Sequence, residues 1–216
     1  MWYTYHKYHE EVWPKITATV CSFVFGRSSG GLTDPGGKTG LNIYNFYRRR
    51  FVRILGIDPG YATLGWGVID YNANRFKVVE CGAVITKAGL DFPRRLEQIY
   101  DGVCDIIAKH SPDMMSVEEL FFNTNTTTAI GVAQARGVVL LSARKSGLSV
   151  FEYTPLQVKQ SVVGYGRAEK KQVMEMTRLL LNLKEVPKPD DTADALAIAL
   201  CHAHSFNSNL YEKAGL

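Results

Sequence analysis

Acidic residues stand at the edges of three apolar segments of this 216-residue chain. Each has an ordinary structural explanation, since Asp-Pro-Gly is turn chemistry and acids are favoured in the first turn of a helix. Together they could also do chemistry, because carboxylates bind cations and move protons. The residues concerned are Asp58, Glu118, Glu119, Asp190, Asp191 and Asp194.

Spacing predicts that these acids form one cluster. Asp191 and Asp194 are three residues apart, so on a helix they project from one face, about 4.5 Å apart along the axis. Glu118 and Glu119 are adjacent on a strand and point to opposite faces, so only one of them can join the cluster. If the strands that end at Asp58 and at the glutamates are neighbours, Asp58 and one glutamate come together.

Such a cluster implies bound metal ions. Carboxylates gathered at one place repel each other and raise their own pKa values unless divalent cations lie between them. Oxygen ligands suit Mg²⁺ or Mn²⁺ rather than zinc. Two ions about 3.5 to 4 Å apart can activate water on one side of a phosphodiester and stabilise the leaving oxygen on the other. We therefore predict two Mg²⁺ ions per site, for which Mn²⁺ substitutes.

The elements that position the acids follow from hydrophobic periodicity. Three strands form an antiparallel meander, and two further strands alternate with helices. The predicted strands are Arg53–Asp58, Leu64–Tyr71, Phe76–Thr86, Met114–Val117 and Ser149–Tyr153. The predicted helices are Pro93–Lys109, Thr126–Lys145, Pro155–Val162, Ala168–Lys184 and Pro189–His204. This order predicts an α/β fold, a mixed five-stranded sheet flanked by helices.

Composition divides the chain into three parts. Residues 1–52 are aromatic-rich without a clear period and then linker-like, so we expect an irregular, disordered N-terminal extension. We predict a folded domain at 53–206 and a flexible tail at 207–216. The net charge of +4 permits a polyanionic partner. The four cysteines form no C-x-x-C pair and no apolar run is long enough for a membrane span, which favours a cytoplasmic protein without a membrane partner.

Several segments together resemble the RuvC family of bacterial Holliday junction resolvases, within the ribonuclease H-like superfamily. They are ILGIDPG with GWGVID, SVEELFF, GVAQARGVV, VFEYTPLQVKQSVVGYGRAEKKQV and DDTADALAIALCHAH. The resemblance covers nearly all of the chain from Arg53 to His204 and implies a ribonuclease H-like fold. It implies that the catalytic, metal-binding carboxylates are Asp58, Glu118, Asp191 and Asp194.

The resemblance also implies a substrate and partners. The family cuts four-way DNA junctions as a homodimer, by paired symmetric nicks in DNA recombination and repair, beside the branch-migration proteins RuvA and RuvB. Phe121 matches an aromatic residue that stacks on a junction base, and Lys159 and Lys170 match basic positions near the DNA backbone. We expect three further residues to add to this basic surface, namely Arg136, Arg167 and Lys171.

Two other functions are compatible with parts of the sequence. Sugar kinases and actin-like ATPases open their fold with a similar IDxG hairpin, but this chain lacks the length for their second nucleotide-binding lobe. A junction-binding protein without catalysis is the other alternative, although all four acids are present. Cleavage of a synthetic junction distinguishes the nuclease from the binding protein, and ATP turnover identifies the kinase type.

Overall fold

One five-stranded mixed sheet forms the centre of the computed structural model, which describes residues 51–72, 75–119 and 126–214. The strands are β1 Val52–Asp58, β2 Thr63–Asn72, β3 Arg75–Ile85, β4 Met114–Glu118 and β5 Ser149–Tyr153. Their spatial order is β3-β2-β1-β4-β5. The first three strands are antiparallel neighbours, whereas β4 runs parallel to both β1 and β5. This confirms the predicted meander and the mixed sheet.

Helices cover both faces of the sheet. They are α1 Phe92–His110, α2 Thr126–Lys145, α3 Pro155–Val163, α4 Lys170–Leu180 and α5 Asp190–Ala214. Helices α1 and α2 pack on one face, where Val103 and Val139 share a core with Ile57. Helices α3, α4 and α5 pack on the other, where Leu200 shares a core with Ile54. Because β1 is buried on both faces, its sequence is a nearly continuous apolar run.

Alternation along β1 decides which face its terminal carboxylate joins. Leu55 and Ile57 contribute to the core beneath α1 and α2. Ile54 contributes to the core beneath α5. Since successive strand residues point to opposite faces, Asp58 lies on the α5 face with Ile54 and Gly56.

Two helices differ from their predicted bounds by more than one residue, and one of them, α4, begins at Lys170 rather than Ala168. Helix α4 ends at Leu180 rather than Lys184, because Asn182 takes a left-handed backbone with φ of 52° and stops the helix. Helix α5 continues to Ala214, so residues 207–214, predicted as part of a flexible tail, have helical backbone. The predicted extension at residues 1–52 lies almost wholly outside the described residues, as does Phe121. No helix in the described ranges is long and apolar enough to cross a bilayer.

Candidate active site

Asp58 and Glu118 are side by side at the carboxyl ends of two parallel strands. Strands β1 and β4 pair with Ile57 opposite Val117, so Asp58 and Glu118 are the next positions in the same register. Neighbouring strands are about 4.8 Å apart, and paired residues point to the same face. Glu118 therefore lies on the α5 face with Asp58, while Glu119 has the opposite parity. The register selects Glu118 from the two glutamates that spacing alone left open.

Three glycines bring helix α5 down onto this part of the sheet. A β-carbon at Gly56 would lie 2.9 Å from the Ala199 β-carbon, and one at Gly67 would lie 2.5 Å from Leu196 Cδ2. A β-carbon at Gly65, which pairs with Asp58, would overlap the Asp191 carbonyl oxygen. No larger residue fits at these positions without moving the helix.

The helix start is fixed by further contacts. The hydroxyl of Thr192 donates to the Gly82 carbonyl oxygen of β3 at 3.0 Å. The Thr192 amide donates to the Pro189 carbonyl oxygen at 3.0 Å, within the turn that begins α5. Asp191, beside Thr192, and Asp194, one turn later, are consequently held near the ends of β1 and β4.

Burial and charge repulsion perturb the acids in the way expected of a cluster. The pKa of Asp58 is raised to about 8, first by burial and then by the charges of Glu118, Asp194 and Asp191. The pKa of Glu118 is also raised, again mainly by burial and next by Asp194. Carboxyls that repel one another and resist ionisation are a recognised sign of a functional site. The charges of all four predicted catalytic acids thus act at one place.

Lysines partly neutralise this acidic region. Lys170, the first residue of α4, places its Nζ 2.8 Å from Asp194 Oδ2. Lys188 pairs in the same way with Asp190 at 2.8 Å, which lowers the pKa of that carboxyl. Asp190 is therefore engaged elsewhere, consistent with its absence from the set of acids that the family resemblance implies.

The donor chemistry of the site suits a hard divalent cation. All four predicted ligands are carboxylates, and burial together with the charges of the other three acids raises the pKa of Asp58, an effect that a bound cation would oppose. Among the described residues, however, no three His, Cys, Asp or Glu side chains are arranged to hold an ion as they stand. Asp194 is occupied by the Lys170 ammonium instead. Four carboxylates are nevertheless the donor type that Mg²⁺ and Mn²⁺ prefer.

The predicted DNA-contacting residues differ in their surroundings. Lys159 on α3 is half-buried, and its charge opposes the rise in the pKa of Glu118, so it lies within electrostatic range of that carboxyl. Arg167 and Lys171 are exposed near the start of α4. Phe121 lies outside the described residues, so its stacking role stays a prediction.

Arg136 has a structural partner that sequence reasoning did not find. Its Nε donates to the Glu118 carbonyl oxygen at 3.2 Å, and its guanidinium pairs with Glu152 of β5. The side chain is only 14% exposed. Arg136 thus positions the backbone of Glu118, and its DNA contact stays a prediction. The contact joins residues 18 apart across two elements, so no local sequence signal could have revealed it.

A buried polar network supports the neighbouring strand end. Tyr153 pairs with Glu118 in the β4–β5 register, and its hydroxyl lies 2.7 Å from Nδ1 of the buried His202. Nε2 of His202 lies 2.7 Å from Met114 Sδ. Because a thioether sulfur can only accept, Nε2 carries the proton and Nδ1 accepts from the Tyr153 hydroxyl. Tyr153 is held next to a predicted catalytic residue by this network.

Comparisons with known proteins agree with this geometry. The profile of the family described as crossover junction endodeoxyribonuclease RuvC matches residues 54–202. A RuvC from Caldanaerobacter subterraneus subsp. tengcongensis is 54% identical over 164 residues, which cover 76% of this chain and 98% of that protein. A RuvC from Alkaliphilus metalliredigens is 58% identical over 152 residues, which cover 70% of this chain and 93% of that protein.

A solved structure gives the same result. Thermus thermophilus RuvC, in a complex described as containing a Holliday junction substrate, superposes with a TM-score of 0.70 at 37% identity. The match covers 73% of this chain and 96% of the Thermus chain. The chain therefore belongs to the RuvC family of crossover junction endodeoxyribonucleases.

Proposed function

We propose that Asp58, Glu118, Asp191 and Asp194 are the catalytic carboxylates with which this chain, a crossover junction endonuclease, resolves four-way DNA junctions. The observation that supports these roles is the raised pKa of Asp58, caused by burial and by the other three acids. Carboxylates from β1, β4 and α5 act on one another although up to 136 residues separate them in the chain. Membership of the RuvC family decides against the kinase-type ATPase.

The family's nucleases depend on metal ions, and we propose Mg²⁺, with two ions per site and Mn²⁺ as a substitute. The four carboxylates would hold them, and the bound ions would supply an activated water and stabilise the leaving oxygen. The chain itself provides a rigid frame. The Asp58 and Glu118 backbones are fixed by the β1–β4 register, and the Arg136 guanidinium restrains Glu118. Gly65 and Thr192 fix the start of α5.

Basic residues around the acids form the proposed DNA surface. Lys159, Arg167 and Lys171 lie on or between α3 and α4, the helices that share a core with α5 on one face of the sheet. Acidic clusters repel DNA phosphates, so flanking cations are needed to hold the substrate at the carboxylates. Phe121 would add base stacking, as the family resemblance implies. RuvA and RuvB are the expected protein partners.

We further propose that the exposed side of α2 is the homodimer surface. Ile130 and Leu141 are 68% and 55% exposed on the same helix, and exposed apolar side chains that share one face can mark a protein–protein contact. With Gln134 and Gly137 they form a stripe at helical spacing, and a β-carbon at Gly137 would meet nothing within 4 Å. A second copy that packs on this stripe would bury both apolar side chains. A two-fold dimer presents two acidic sites to one junction, as paired nicks require.

A junction-cleavage assay tests the function. A synthetic mobile four-way junction is incubated with the protein and Mg²⁺, and its strands are separated on a denaturing gel. We expect paired nicks at symmetric positions, absent when EDTA replaces Mg²⁺ and in the Glu118→Gln variant. Intact strands despite a measurable junction complex would favour the non-catalytic binding protein, and sequencing gel markers would show whether the two cuts are symmetric.

A further inference from the structure

Lys170 forms an ion pair with a proposed catalytic carboxylate, in addition to its proposed role in DNA contact. Its Nζ lies 2.8 Å from Asp194 Oδ2, a distance typical of a charge-assisted hydrogen bond between an ammonium and a carboxylate. The hydrogen bond to Asp194 is the main cause of the raised pKa of Lys170, and Asp58 and Asp190 contribute through their charges. Lys170 is therefore a cation in direct contact with one of the four proposed catalytic carboxylates.

The backbone of Lys170 is fixed whereas its head group is not. Glu169 caps α4 in a reciprocal arrangement with Gln172, whose side chain accepts from the Glu169 amide at 2.8 Å. This capping box fixes the first turn of α4, and with it the direction in which the Lys170 side chain projects from the helix. The Lys170 side chain is 57% exposed, so its four-carbon stem can swing without disturbing the core.

An ammonium and a metal ion compete for the same oxygen atoms. A divalent ion binds carboxylate oxygens at about 2.1 Å and gives them two positive charges in place of one. With Lys170 on Asp194, no three acidic or metal-binding side chains among the described residues are arranged to hold an ion. The ammonium must leave Asp194 before that carboxylate can become a ligand.

We propose that Lys170 is an exchangeable occupant of the metal site, which holds Asp194 in the free protein and releases it when a metal ion binds. The inference rests on the proposed function, because it takes Asp194 as a ligand. A DNA phosphate beside the site provides the displaced ammonium with a new partner. DNA and metal then each promote binding of the other, since linkage makes such coupling reciprocal.

Mn²⁺ binding in the absence of DNA tests the exchange directly. Free Mn²⁺ is counted by electron paramagnetic resonance during titration of the wild-type protein and of Lys170→Met, which keeps the stem and removes the charge. We expect at least threefold tighter Mn²⁺ binding by Lys170→Met. Lys170→Arg, which keeps the charge, should bind like the wild type. Lys171→Met removes a charge from the next residue and should also bind like the wild type.

Three outcomes would overturn the inference. They are equal Mn²⁺ affinity in Lys170→Met, weaker affinity in that variant, and an equal gain in Lys171→Met, which would point to net charge instead of the contact. Thermal melting of each variant verifies that it is folded, and the exposure of Lys170 predicts little change. Junction cleavage by the wild type is scored separately. If the wild type cleaves the junction but the Lys170→Met substitution does not change the Mn²⁺ affinity, the proposed exchange is wrong and the proposed nuclease function is unaffected.

Discussion

Gly65 lies directly beneath the backbone of Asp191, so close that a β-carbon on the glycine would overlap the Asp191 carbonyl oxygen and lie 2.9 Å from the Asp191 β-carbon. Gly65 is also the residue opposite Asp58 in the β1–β2 ladder. One glycine therefore sets the separation between two proposed catalytic carboxylates. Its role here is close backbone approach, for which glycine is required.

Replacement of Gly65 by alanine should damage stability and activity together. The added methyl group must push α5 away from β2, at a cost of about 1–3 kcal/mol in the free energy of unfolding. Gly82→Ala is the matched strand control, because its β-carbon would meet the Trp66 ring at 3.3 Å and needs only a small adjustment. Urea denaturation and junction cleavage should both show a larger loss for Gly65→Ala. An equal loss in the two variants would contradict the close approach.

Asp58→Asn and Glu118→Gln should abolish cleavage and keep junction binding. Each amide is nearly isosteric with the acid it replaces but is a much weaker ligand for Mg²⁺, while the basic residues around it are unchanged. We expect the rate to fall by more than the roughly 10–100-fold that follows loss of a metal's outer-shell partner. Gel-shift titration in EDTA measures binding, and single-turnover cleavage in Mg²⁺ measures the rate. Parallel loss of both would show that these acids maintain the fold instead.

Asp58→Asn should stabilise the metal-free protein at alkaline pH. The folded pKa of Asp58 is about 8 and the unfolded value is near 3.9, so between these values the folded state holds a proton that the unfolded state has released. Stability therefore falls as pH rises from about 4 to 8. The variant lacks this loss, and its melting temperature at pH 8 should exceed that of the wild type by about 2 °C or more.

The same pair of proteins provides the control. Near pH 4 the two melting temperatures should approach each other, because Asp58 is then protonated in the folded wild type and about half protonated in the unfolded chain. Mg²⁺ at pH 8 should raise the melting temperature of the wild type more than that of Asp58→Asn. If the variant were less stable than the wild type by the same margin at pH 8 and at pH 4, the pKa of Asp58 would not be raised in the folded protein.

Sequence reasoning was most successful where local chemistry determines the structure. A short apolar run and the turn after Asp58 predicted β1 and its terminal carboxylate, and no predicted strand end differs from the observed one by more than one residue. The requirement that β1 and β4 be neighbours is met by the observed register. Alternation then distinguishes Glu118 from Glu119, once the register is known. The strand itself and the facing of its residues depend on short-range patterns that can be read directly from the sequence.

Contacts between distant segments could not be predicted in this way. The Lys170–Asp194 pair and the bond from Arg136 to the Glu118 carbonyl oxygen depend on how helices seat on the sheet. The predicted C-terminal end of helix α4 lies four residues too late, because its apolar stripe continues to Leu183 although Asn182 adopts a left-handed backbone. A periodic pattern shows which face is buried, but the end of a helix depends on cap geometry.

His202 should make the protein less stable in mild acid. Burial lowers the pKa of His202 to about 4, whereas the pKa in the unfolded chain is near 6.5. Between these two pH values the unfolded state binds a proton that the folded state does not bind. This contribution to stability is present above pH 6.5 and is lost as pH falls towards 4. Between pH 7 and 5 the wild type should lose about 2 kcal/mol through this residue.

Urea denaturation of the wild type and of His202→Gln at pH 7 and pH 5 isolates the effect of His202. The variant should be less stable at pH 7, because it loses the packing of the imidazole against Phe151 at 4.3 Å between ring centroids. Its further loss between pH 7 and pH 5 should be smaller than that of the wild type. Equal pH dependence in the two proteins would mean that another group causes the acid sensitivity.

Lys159→Ala should reduce the salt dependence of junction binding. Lys159 lies close enough to Glu118 for its charge to oppose the rise in the pKa of that carboxyl, so a DNA phosphate at the acidic site would come within its reach. Loss of one phosphate contact reduces the slope of log K against log salt by about 1, which makes the affinity loss largest at low salt. Binding is measured in EDTA over a series of NaCl concentrations. Lys109→Ala is the control, since Lys109 pairs with Glu80 at 2.7 Å and belongs to α1 on the other face of the sheet. A slope that matches the wild type in Lys159→Ala would remove this lysine from the DNA surface, and a slope change in Lys109→Ala would place DNA on the wrong face.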